Sequence, residues 1–143
     1  MNKDLKMIQY WQRFYRLTPK EKVLFGEAVF FLFLAKLMLL VVPFRMCIRT
    51  IPSHTYDEQP AVKTLELVKQ AVNRANRLSC WKNICLVQAF AARWMLQRRN
   101  IASTFSIGVK HEPDRKVTAH AWLIAGNRYI VSDPKDYLPL KTY

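Results

Sequence analysis

Only three of the 143 residues are glycine, and neither GxGxxG nor GxxxxGK[ST] occurs, so a Rossmann or P-loop phosphate site is excluded. Cysteine is equally scarce, and its count of three is odd. The start, MNKDLKMIQYWQRF, lacks the apolar run of an export signal. Together these argue against a disulfide scaffold and for a reducing, cytoplasmic setting. Acidic residues are few, 10 against 23 Lys+Arg, which leaves a net charge of +13. Hydrophobic residues make up 51% and aromatics 13%, so the chain is not disordered and can bury a core. The positive charge attracts nucleic acid, anionic lipid or acidic peptide alike and does not choose among them.

Composition shifts near residue 50. Residues 1–60 read as an N-terminal, helical and apolar portion, packed on the core or membrane-associated, and residues 61–143 as the functional core. A first helix from about Lys3 to Arg16 places Ile8, Trp11, Phe14 and Tyr15 on one side. Thr18-Pro19-Lys20-Glu21 then supplies an N-cap, a proline at the first helical position and the glutamate of a capping box. The second helix, ending near Pro43, contains the 22 residues Val23 to Phe44 with Glu27 and Lys36 as the only charges. At ~100° per residue those charges fall on opposite sides, so the helix is either buried between neighbours or spans a membrane. Two internal charges disfavour a span, and basic residues on both flanks (Arg13, Arg16, Arg45, Arg49) set no orientation. Burial, or peripheral contact with the inner face of the membrane, is the expectation.

Thr50 to Pro60, with two prolines, reads as a linker or a long connection within the domain. Val62, Leu65, Val68, Val72, Ala75 and Leu78 step as a third helix, and a fourth runs from about Ile84 to Arg99 with Asn100 as its stop. Three strands follow, about Ser103–Lys110, Val117–Ala125 and Arg128–Ser132, the last two joined by the two-residue turn Gly126-Asn127. The fold class expected is α+β.

The turn makes a geometric prediction. If Ala125 pairs with Arg128, a regular ladder puts Ile124 opposite Tyr129, Trp122 opposite Val131 and His120 opposite Asp133, all on one apolar face expected to pack against a helix. A carboxylate opposite a histidine can fix its tautomer and orientation. Cys85 lies in the first turn of the fourth helix, where unpaired N–H groups and the helix dipole favour an anion such as a thiolate. Gln88, Ala89, Ala92 and Leu96 continue its face, and small alanines there allow a sheet to approach. Cysteine at a helix start, histidine on a strand and aspartate after the next strand is the order of the transglutaminase/papain-like thiol enzymes. Cys80 is a less suitable nucleophile, near a helix end where the dipole opposes a thiolate. A zinc site from Cys80, Cys85, His111 and His120 has poor ligand spacing, so no metal and no cofactor are expected.

The segments Cys85-Leu86-Val87-Gln88-Ala89, Ala92-Arg93-Trp94-Met95-Leu96-Gln97-Arg98-Arg99, Ile107-Gly108-Val109 and Ala119-His120-Ala121-Trp122 resemble one family. It is the transglutaminase-like leader peptidase of lasso-peptide biosynthesis, in its stand-alone form from split B-protein systems. The resemblance implies a papain-like α+β core in which Cys85 is the nucleophile, His120 the base and Asp133 its orienting partner. It implies a ribosomally made leader–core precursor as substrate, carrying a threonine at the penultimate leader position. It also implies two partners: a winged-helix leader-recognition protein, and a cyclase resembling asparagine synthetase. Asn100 and Ile124 depart from the glycine and glutamate often found there, and neither touches the triad. No recognition module of about 80 residues fits beside this core, so a separate one is expected. The alternative is a non-enzymatic basic nucleic-acid-binding or membrane-associated scaffold, but the basic residues are dispersed without an RNP, zinc-finger or helix-turn-helix pattern. No nucleic-acid partner is therefore expected.

Overall fold

A computed structural model describes residues 3–49, 60–78, 85–111, 113–114, 116–132 and 137–142. Helix α1 (Lys3–Tyr15) and helix α2 (Pro19–Val41) are separated by the expected capping box. Thr18 Oγ1 accepts from the Glu21 N–H at 3.4 Å, and the Thr18 N–H donates to the Glu21 carboxylate at 2.9 Å. The Thr18 N–H and the Thr18 hydroxyl, both donating to the Glu21 carboxylate, hold it below its ordinary range, and Arg74 of the next long helix adds to the effect at 3.2 Å. The cap therefore also ties α2 sideways to its neighbour.

A short helix, α3 (Phe44–Arg49), follows Pro43 and was not expected from the sequence; α4 (Val62–Leu78) and α5 (Cys85–Gln97) are the third and fourth helices expected above. α5 ends as its sequence suggests. Asn100 adopts a left-handed φ of 54°, and the Ile101 N–H reaches back to the Leu96 carbonyl at 3.0 Å while the Asn100 N–H reaches Gln97 at 2.9 Å. That is a Schellman closure, with asparagine in the place glycine usually takes.

The chain then forms β1 (Thr104–His111), β2 (Val117–Ala125), β3 (Arg128–Val131) and β4 (Leu138–Thr142), an antiparallel sheet in the order β3-β2-β1-β4. The class is α+β, but the sheet has four strands where three were expected. β4 carries Pro139, which a central strand would reject and an edge strand tolerates. Gly126 and Asn127 form the turn between β2 and β3 with φ of 53° and 62°. Both central residues left-handed is the hairpin turn that matches strand twist. A Cβ on Gly126 would also meet Pro60 Cγ at 3.0 Å and Leu65 Cδ1 at 3.1 Å, so the turn is wedged against the start of α4.

α5 is the central helix. The sheet packs on one side of it, and α2 and α4 pack on the other. Ala89 and Ala92 are fully buried there, and Phe90 meets Phe105 of β1 with ring centroids 5.2 Å apart. α2 contributes Ala28, Phe31, Leu32 and Ala35 to the same core, so this helix is packed on its inner half. Its internal charge Glu27 is paired with Arg99 at the end of α5, at 2.9 and 2.6 Å, rather than stranded among apolar groups.

Candidate active site

Cys85 is the first residue of α5, so the first N–H groups of that helix, its own included, have no acceptor within the helix. Its side chain is half-buried, whereas Cys47 is enclosed in the core with its thiol donating to the Val42 carbonyl at 3.7 Å. Cys80 lies outside the described residues.

The β2–β3 register explains where the thiol sits. Ala125 pairs with Arg128 and Ile124 with Tyr129, as the turn predicts. The ladder then shifts, and Leu123, not Trp122, pairs with Val131. The extra residue is Ile130, and the bulge lets Ile130 and Val131, successive in sequence, both be buried. A regular strand would have turned one of them to solvent. β3 ends there: Ser132 has a φ of 52° and takes the chain out of the strand. The described ladder thus departs by one residue from the register expected to set Asp133 opposite His120, and Asp133 itself lies outside the described residues. Beyond Leu123 no described residue of β3 pairs with β2, and the Ala121 N–H there donates to Cys85 Sγ at 3.5 Å.

The same register corrects the assignment of faces. Ala121, Leu123 and Ala125 join the core beneath α5, together with Phe105 and Ile107 of β1. His120, Trp122 and Ile124 alternate with them and belong to the opposite face, rather than the helix-packed face expected. Trp122 is buried there, beside Ser106. An unbroken apolar run, Ala121 to Ala125, carries no alternation from which the helix-facing side could be read.

His120 is half-buried and paired with Gly108 of β1. Its ring stacks on Tyr137, with centroids 4.7 Å apart and planes at 22°. Burial lowers the imidazole pKa below its ordinary value, so the ring is neutral at pH 7 and able to accept a proton. Tyr137 was not singled out from the sequence; no spacing rule joins it to His120, and it arrives beside that ring only because β4 returns along β1. His111 is exposed and pairs with Val117 at the far end of the hairpin, on the face opposite His120. The two histidines cannot share one ion. Among the described residues no three His, Cys, Asp or Glu side chains are grouped as metal ligands would be.

A thiol at a helix start beside the strand that carries a neutral histidine is an arrangement for nucleophilic chemistry. Residues 32–142 match the transglutaminase-like superfamily. The chain belongs to that superfamily. No curated protein and no solved structure matches it. The matched region begins at Leu32 within α2 and runs through α5 and all four strands, so it takes in only the C-terminal part of α2. Cysteine peptidases are among the superfamily's members.

Proposed function

We propose that this chain is a cysteine peptidase that removes the leader from a ribosomally made lasso-peptide precursor. The observation that carries the thiol chemistry is the Ala121 N–H to Cys85 Sγ contact of 3.5 Å, one residue along β2 from His120. His120 takes the thiol proton, and the sulfur attacks the carbonyl carbon of the last leader residue. The peptide C–N bond breaks as His120 returns the proton to the leaving amine, freeing the α-amine of the core peptide. Water, deprotonated by His120, then hydrolyses the thioester and regenerates the thiol. In this reading the N–H of Cys85, at the first described position of α5, stabilises the oxyanion. Asp133 is the proposed orienting partner of the imidazole.

The substrate class and the partners rest on the resemblance of the Cys85 and His120 segments to the lasso-peptide leader peptidases. In this reading a separate winged-helix protein holds the leader, and an asparagine-synthetase-like cyclase consumes the freed amine. Trp11 and Tyr15 of α1 are exposed, while Phe14 packs on Phe25. A cleft of about 410 Å³ beside them is lined by Phe14 and Phe25 and by Arg13, Arg16, Arg77 and Arg74, the last paired with Glu21. That chemistry suits an acidic partner with apolar anchors.

The test is mass spectrometry of the precursor after incubation with the chain, with and without the recognition protein. Cleavage at the leader–core junction, accelerated roughly 100-fold by the recognition protein, is expected. It should vanish in Cys85→Ala and be much reduced in Asp133→Asn. Wild-type rates in Cys85→Ala refute the assignment, and a cut elsewhere refutes the substrate but not the chemistry.

A further inference from the structure

The outer half of α2 takes no part in the site. Over the ~27 Å from Val23 to Val41, a sector of the helix about 140° wide faces away from α4 and α5. It presents Val23, Val29, Phe30, Leu37, Leu40 and Val41, each between 39% and 76% exposed. No charged residue falls within this sector. Glu27 turns inward from one margin to Arg99, and Lys36 lies half-buried along the other. Exposed basic residues stand at both ends: Arg16, Lys20 and Lys22 before it, Arg45 and Arg49 after it. Glu21, the acidic residue at that first end, is already engaged by Thr18 and Arg74.

We propose that this face docks the protein on an anionic lipid bilayer, with α2 lying in the plane of the interface. A valine, leucine and phenylalanine face bordered by lysine and arginine is the composition of an interfacial helix, and the basic ends meet anionic headgroups. The same charges argue against a second copy of the chain. Parallel packing would set Lys20 and Lys22 against themselves, and antiparallel packing would set them against Arg45 and Arg49. The sector also lacks the tyrosine, tryptophan and hydrogen-bonding groups that give a protein interface its directional contacts.

A membrane span by α2 is a different matter. The helix is long and apolar enough to cross a bilayer. However, Ala28, Leu32 and Ala35, at most 1% exposed, are core residues. A span would strip them from α4 and α5 and carry Glu27 into hydrocarbon. Only the outer half is free to meet lipid while the fold stays intact. The proposal is independent of the peptidase reading.

The test is flotation of the full chain with vesicles of phosphatidylcholine alone and of phosphatidylcholine mixed with phosphatidylglycerol. Binding to the mixed vesicles is expected, weakening as salt is raised. Leu37→Gln combined with Leu40→Gln, at exposed positions, should keep the circular dichroism spectrum and reduce binding by at least about tenfold. Arg45→Gln and Arg49→Gln should each cost about fivefold on mixed vesicles only. Light scattering without lipid separates the remaining outcomes. A dimer abolished by the leucine substitutions would assign the face to a second copy. A folded monomer that floats with neither vesicle would leave the face to another protein. Either result, or binding unaffected by the leucine substitutions, overturns the proposal.

Discussion

Helices α2 and α5 lie against each other, but α5 is enclosed along nearly its whole length and α2 on one side only. α5 is held between the sheet and the α2–α4 pair, so Ala89, Ala91, Ala92, Met95 and Leu96 are all fully buried. α2 is the outer member. Its inner half contributes Leu32 and Ala35 to the core, and its outer half leaves Leu40 and Val41 about three-quarters exposed. Two strongly apolar helices thus serve different ends. The enclosed one places its first residue, Cys85, at a fixed point beside β2; the half-enclosed one keeps an apolar surface for a partner outside the fold.

The largest effect should separate function from packing at the start of α5. Cys85→Ala exchanges one small side chain for another at a half-buried position, so the thermal midpoint should move little. Precursor cleavage should fall by about 10⁴-fold or more, measured by product appearance in mass spectrometry. Retained cleavage would mean that the enclosed helix serves only as packing.

Within α2 the two halves should answer the same substitution differently. Leu32→Ala removes a fully buried side chain and should cost about 2–5 kcal/mol in urea unfolding. Leu40→Ala, on the outer half, should stay within about 0.5 kcal/mol. Equal costs would show that the outer face is covered in the isolated chain.

The seam between the helices comes next. Glu27, with a side chain 9% exposed, is bidentate to Arg99 and lies 3.5 Å from Arg98, which is 66% exposed. Glu27→Gln should cost about 1.5–3 kcal/mol in urea unfolding. Arg98→Gln, removing a solvated partner, should be within about 0.5 kcal/mol of wild type.

The smallest effect concerns His120, whose pKa burial lowers from the ordinary 6.5. The unfolded chain takes up this proton first, so stability contributed by the neutral ring is complete above pH 6.5. It is lost as the pH falls from there to the lowered folded value. Urea midpoints should therefore drop on acidification more in wild type than in His120→Gln. The imidazole resonance of Cys85→Ala should titrate below 6.5 by NMR. A midpoint above 6.5 would reveal a carboxylate held against the ring in solution, and Asp133→Asn would then identify it.

The local elements can be read from the residues alone, because each has a local cause. Period 3.6 drew α4, Thr18 and Glu21 started α2, Asn100 ended α5, and Gly126-Asn127 joined two strands. Residue type and position, at a helix start and on a strand, also single out Cys85 and His120, and the fold brings the Cys85 thiol to the strand that carries His120. Packing between elements made the choices that local pattern leaves degenerate. Ala121 to Ala125 is apolar at every step, so the face that meets α5 was settled by packing and by the bulge at Ile130. β4, with its proline, becomes a strand only because an edge place beside β1 is open to it. The apolar length of α2 could not show which half would be covered, since burial belongs to pairs of surfaces and not to one helix. Asp133 was placed by assuming an unbroken ladder, and one inserted residue with a left-handed Ser132 removed that assumption. A strand's register sums every step between turn and target, so a single bulge that buries one more side chain redirects everything beyond it.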